Sequence, residues 1–190
     1  MNISNGTGNC LANTKVMVTV AVMTAITCIF GPISIPIGPV PISLTPFCVF
    51  FSVYVLGMKK GTISYCIYLL IGLVGVPVFS GYTSGPAKLF GPTGGYLIGF
   101  VLMAVIAGYF IDRFSGRYLI QFAGMILGLT VCYALGTVWL AYSAGMTMQA
   151  AFAAGVAPFI LLDVIKIVIS IAVGSQIRHR LGSAGFAVWA

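Results

Sequence analysis

Long apolar runs, separated by a few basic residues, set the first limit on what this chain can become. Only 6% of its 190 residues are charged and 60% are hydrophobic, and its mean hydropathy is +1.12. A soluble domain carries about 25% charged residues, so this composition offers too little polar cover for a surface in water. Lipid removes that requirement but imposes another. The backbone must satisfy its own hydrogen bonds, which leaves helices or closed barrels. The runs are continuously apolar, without the polar alternation of barrel strands, so helices are expected. At about 20 apolar residues per crossing, the length holds about six spans with short connections.

The expected spans are 15–31, 46–58, 61–76, 94–111, 118–141 and 155–176. The fold class is therefore an all-α polytopic membrane protein with six transmembrane helices. Residues 1–14 read as a polar N-terminal tail, 15–178 as the six-helix membrane domain and 179–190 as a C-terminal tail. The first run lacks a small-residue cleavage site and is followed by further spans, so it reads as a mature helix rather than a signal peptide. Lys15, Lys59, Lys60, Arg113, Arg117, Arg178 and Arg180 all fall on one side of six spans, and only Lys88 falls in an opposite loop. Positive residues mark the cytoplasmic side, which puts both termini inside. The net charge of +7 then reflects orientation in the membrane, not a nucleic-acid patch.

Two connections on the opposite side differ from ordinary loops. Residues 32–46 hold five prolines, which forbid a regular helix because each lacks an amide donor and clashes with the preceding turn. Residues 77–95 are rich in glycine and proline, including Gly91, Pro92, Gly94 and Gly95. Both are apolar and stiff, which suits a lid folded onto helix ends better than a solvated linker. Gly94 belongs to the segment expected to form the rigid lid.

Catalytic patterns are missing. The chain has no G-x-x-x-x-G-K-[ST] loop for ATP, no H-E-x-x-H, no G-x-S-x-G and no Cys/His cluster. Its two carboxylates, Asp112 and Asp163, fall on opposite sides of the expected topology. No enzyme activity, catalytic residue, metal site or cofactor is expected. The five cysteines lack paired spacing, and four lie in apolar runs, where they read as small buried hydrophobes.

Span six carries Asp163 and Lys166, three residues apart on one helical face. With the span edge at residue 155 they would lie roughly 12–16 Å deep. Charges at that depth cost several kcal/mol unless paired or solvated. One reading is an ion pair that only holds the bundle together. The other is a ligand site in an outward-facing cavity, where Asp163 accepts from N–H groups and Lys166 donates to an anionic or carbonyl oxygen. Phe79, Tyr82, Phe90 and Tyr96 lie in position to pack on an apolar ligand body. Small residues four apart, as in Ala21–Ala25, Gly91–Gly95, Gly95–Gly99 and Gly124–Gly128, permit close helix approach in lipid.

Three separated segments carry a resemblance. Gly38-Pro39-Val40-Pro41-Ile42-Ser43-Leu44-Thr45-Pro46 resembles the first outer loop of the BioY family, the biotin-specific S components of energy-coupling factor (ECF) transporters. Gly75-Val76-Pro77-Val78-Phe79-Ser80-Gly81 with Gly91-Pro92-Thr93-Gly94-Gly95-Tyr96 is similar to its segment between helices three and four. Pro158 to Lys166 is similar to its last-helix motif. The resemblance implies high-affinity biotin binding near the outer face of the bacterial cytoplasmic membrane, with 15–178 as the substrate-binding domain. It implies that Asp163 accepts from the ureido N–H groups, that Lys166 donates to the ligand carboxylate and that Ser80 is a polar contact. It also implies that Ala21 and Ala25 dock a transmembrane T component, with two ATPase subunits completing an importer that works by toppling of the S subunit. A self-sufficient secondary transporter with Asp163 as proton relay, and a structural protein without ligand, are the other readings.

Overall fold

The structure, a computed structural model, describes residues 4–183, with side chains from residue 14 onward. Where the chain is apolar and free of proline, it closes its hydrogen bonds as helix. The elements in order are α1 (Ser4–Phe30), β1 (Ser34–Ile35), β2 (Ile42–Ser43), α2 (Thr45–Leu56), α3 (Met58–Leu73), α4 (Pro86–Phe90), α5 (Gly94–Arg113), α6 (Tyr118–Ala144), α7 (Met148–Gly155) and α8 (Ile160–Ser183). Three of these, α5, α6 and α8, are long and apolar enough to cross a membrane. Thr14–Phe30 and α2 are shorter apolar helices.

Several boundaries differ from expectation, each for a local reason. Helix α1 already begins at Ser4, ahead of the expected edge at Lys15, since neither proline nor charge interrupts residues 4–14. Helix α8 runs through His179 and Arg180 to Ser183, and the rest of the expected C-terminal tail, 184–190, lies outside the described residues. Span six starts later than 155. Residues 148–155 form the separate helix α7, its first turn capped by Thr147, whose hydroxyl accepts from the Ala150 amide. Pro158 then stands before the start of α8 and ends any continuation from α7. The proline-rich connection is not featureless either. Ser34 pairs with Ser43 and Ile35 with Ile42 in a short antiparallel hairpin.

Helices α2 and α3 are joined by Gly57 alone, at φ 82, a left-handed conformation that glycine adopts without a Cβ clash. Pro46 sits in the first turn of α2, where a missing amide costs nothing. Helices α5 and α6 form the most extensive contact. A Cβ on Gly99 would meet Cys132, and one on Gly124 would meet Phe110. The small-residue spacings on these two helices therefore serve packing within this chain. The core is filled by Phe50, Tyr65, Tyr68, Phe79, Met103 and Met125, all fully buried. Outward faces instead carry Met17, Leu119, Leu161 and Tyr142, all well exposed.

The bundle has two unlike ends. At one end the hairpin, residues 76–93 and α7 cover the helix termini. Gly81 N–H donates to the Pro32 carbonyl (3.0 Å) and ties the two covering segments together. At the other end the Gly57 turn, the α5–α6 turn and the end of α8 converge. There Asp112 pairs with Arg178 (2.8 Å) and accepts from the Met58 amide (2.7 Å), capping α3.

Candidate functional site

Helix α8 enters the bundle beneath the hairpin and places Asp163 in its first turn, where the helix dipole favours a carboxylate. The helix starts closer to the pair than expected. Asp163 lies about 4.5 Å and Lys166 about 9 Å along the helix from Ile160, at 1.5 Å per residue, because α8 starts five residues after 155. Lys166 Nζ stands 2.8 Å from Asp163 Oδ1, with side-chain exposures of 12% and 3%. Charges so buried persist only when their hydrogen bonds are satisfied. The Lys166 ammonium also donates to the Ser43 carbonyl at the end of β2 (2.8 Å). The Tyr133 hydroxyl, from α6, donates to Asp163 Oδ2 (2.6 Å).

This network forms one wall of a cavity. Val40, Pro41 and Ser43 of the proline-rich segment, with Thr45 and Pro46 of α2, line a second side. Ser80 and Thr93 lie on the glycine-rich segment, and Tyr96, Leu97 and Phe100 come from α5. Gly155 at the end of α7 and Phe159 just before α8 also line it. The chamber is thus apolar over most of its wall, with one acid–base pair and a few hydroxyls at fixed places, the general pattern of a small-molecule site. Tyr96 is itself fixed by a hydrogen bond from its hydroxyl to the Gly155 carbonyl (3.2 Å).

Of the residues singled out in the sequence, Asp163, Lys166, Ser80 and Tyr96 come together on this cavity. Phe79, Tyr82, Phe90 and Gly94 are not among its lining residues, and each departure has a cause. Phe79 is fully buried, edge-on to Tyr68 at 5.7 Å, and packs against Gly72 behind the lid. Tyr82 and Phe90 project outward, 69% and 71% exposed. Gly94 lies behind the cavity wall, where a Cβ would fall 1.6 Å from the Leu89 carbonyl oxygen. It joins α4 to α5 by close approach. Trp139 Nε1 donates to the Gly91 carbonyl (2.9 Å) and fastens the same segment to α6. Lys88, on α4, is partly buried, which lowers its ammonium below the ordinary lysine range, but it does not line the chamber.

Tyr133 and the Ser43 carbonyl are the polar groups that sequence reading missed. Tyr133 lies in an apolar run, 30 positions from Asp163, and nothing in its spacing points to that carboxylate. The Ser43 carbonyl is backbone and has no residue-type signature. Elsewhere, Ala21 and Ala25 lie exposed on one face of α1 and line a shallow groove shared with Lys60, Ile63 and Ile67 of α3. Among the described residues no group of three His, Cys, Asp or Glu side chains is placed to hold a metal ion.

Apolar helices around a largely apolar chamber that carries one buried acid–base pair define an integral membrane protein built to accommodate a small solute. The comparisons with known proteins agree. A model of the BioY family matches residues 4–183, and the chain belongs to that family. It is 38% identical over 159 residues to the probable biotin transporter BioY of Pyrococcus horikoshii, covering 84% of this chain and 93% of the relative. It is 36% identical over 162 residues to the biotin transporter BioY of Thermotoga maritima, covering 85% and 95%. Its fold matches the crystal structure of the S-component for biotin from an ECF-type ABC transporter with a TM-score of 0.83 and 28% identity, over 94% of this chain and 95% of the other. The relatives are named as transporters, not as enzymes.

Proposed function

We propose that this chain binds biotin in the chamber beneath the hairpin and carries it across the cytoplasmic membrane as the S subunit of an ECF importer. The observation that carries this reading is the Asp163–Lys166 pair on the wall of an otherwise apolar cavity, in a fold shared with a biotin S-component. A cyclic urea offers an N–H beside a carbonyl, and the pair offers an acceptor beside a donor. Asp163 accepts from the ureido N–H. Lys166 stands 2.8 Å from Asp163 and bonds the hairpin carbonyl of Ser43, which favours contact with the ureido carbonyl over the ligand carboxylate. Ser80 and Tyr96 supply further wall contacts. Asp163 already accepts from Lys166 and Tyr133, an arrangement that serves a fixed acceptor better than a proton relay.

The same reading has six spans, α1, α2, α3, α5, α6 and α8, with both termini cytoplasmic. In support, Lys59, Lys60, Arg113, Arg117, Arg178 and Arg180 gather at the end away from the chamber. The exposed Ala21–Ala25 face of α1 suits close docking of a T component, and two ATPase subunits supply the energy. The test is a thermal-stabilisation screen of the purified protein across water-soluble vitamins, followed by uptake in cells with and without the T and ATPase subunits. Stabilisation by biotin alone, with uptake that needs the ATPases, is the expected result. No shift with biotin sinks the ligand. Cysteine labelling from outside should reach position 85 and not position 60, and the reverse pattern sinks the topology.

A further inference from the structure

Tyr133 does more in this structure than fill space. Helix α8 packs chiefly on α2 and only lightly on α6. The Tyr133 hydroxyl crosses that thin contact to donate to Asp163 Oδ2 at 2.6 Å. Its ring faces two ways. It lines the chamber with Asp163 and Lys166, and it lines an apolar groove between α6, α7 and α8 with Phe152, Val156 and Ile160. The ring therefore stands between the carboxylate and the outer, lipid-facing side of the bundle. A carboxylate has about four lone-pair sites. With Lys166 on Oδ1 and Tyr133 on Oδ2, the plane of the group is held from both sides. Without the tyrosine hydroxyl only Lys166 restrains it, and the carboxylate is free to turn about its χ2 bond, a broad and weakly restrained torsion.

We propose that Tyr133 is a positioning residue for ligand recognition: its hydroxyl holds the Asp163 carboxylate in the orientation that accepts the N–H donor of the ligand, and its ring shuts the chamber off from the groove. This rests on the biotin reading above and deepens it. Discrimination by this site then depends on a group that contacts the donor only through Asp163.

The test uses purified protein, biotin and two biotin analogues, each methylated on one of the two ureido nitrogens. Tyr133→Phe removes only the hydroxyl. Hydrogen bonds to charged groups contribute enough that biotin affinity should fall about tenfold. The analogue that wild-type protein binds worst lacks the N–H that faces Asp163. Its affinity should change less than about twofold, because the contact that Tyr133 supports is already gone. Tyr133→Met, run in parallel, deletes the hydroxyl with a differently shaped side chain and gives the same comparison where the Phe variant does not fold. Equal losses for biotin and for that analogue, in whichever variant folds, overturn the proposal and leave Tyr133 a structural residue. Unchanged affinity for biotin overturns it as well. Failure of wild-type protein to bind biotin, or equal binding of all three ligands by wild type, instead sinks the ligand reading on which the proposal rests.

Discussion

At each end of the bundle a carboxylate pairs with a cation at the same 2.8 Å separation, yet the surroundings of the two pairs differ. Asp112 joins different elements. It reaches Arg178 on α8 and caps α3 through the Met58 amide, while Arg178 also donates to the Tyr54 carbonyl (3.1 Å). Its side chain remains 33% exposed, so water competes for it. Asp163 and Lys166 lie on one helix, are almost fully buried, and face a chamber. The first pair fastens helix ends. The second holds charge where a solute can meet it. Distance alone does not distinguish the two pairs; burial and the neighbouring space do.

The sharpest way to break this contrast is Asp163→Ala. It strands the Lys166 ammonium in a buried site, an effect on the order of 3–5 kcal/mol. Both the melting temperature in detergent and biotin binding should collapse. Intact binding would remove Asp163 from the site altogether. Next in size is Lys166→Met, which keeps length without charge and should weaken biotin by about a hundredfold, the upper range for charged hydrogen bonds. A carboxylate-free biotin analogue should lose as much if Lys166 meets the ureido end, as proposed above. Selective loss for biotin alone would return Lys166 to the carboxylate.

Gly94→Val should come third. The added side chain meets the Leu89 carbonyl and pushes α4 from the start of α5, so biotin weakens by several-fold while membrane insertion survives. Equal affinity would show that the lid tolerates displacement. The smallest effect belongs to Arg178→Gln. At a partly exposed pair the loss is about 1 kcal/mol, visible as a modest fall in the melting temperature with biotin affinity unchanged. A large drop in affinity there would mean the two ends are not separable.

The long helices are legible because lipid demands apolar runs, and a charge in such a run stands out, as Asp163 and Lys166 do; both line the cavity. Tyr133 could not be found that way. A tyrosine among apolar residues has many ordinary uses, and its partner is set by how α6 and α8 pack. Phe79, Tyr82 and Phe90 failed for a related reason: aromatic character reveals affinity for apolar surroundings but not direction, and in a segment stiffened by glycine and proline the backbone alone decides it. Tyr82 itself takes φ 57, a turn conformation that points its ring outward. The hairpin and α7 escaped notice because two-residue strands and an eight-residue helix carry too little periodicity to register.

One consequence lies in α8, which holds Lys166 near one end and Arg178 near the other, about 18 Å apart at 1.5 Å per residue. An unbroken helix of this length behaves as a rod. A twist about its long axis that swings Lys166 away from the Ser43 carbonyl must also drag Arg178 across Asp112, so torque applied at the basic end is felt at the chamber without any intervening linkage.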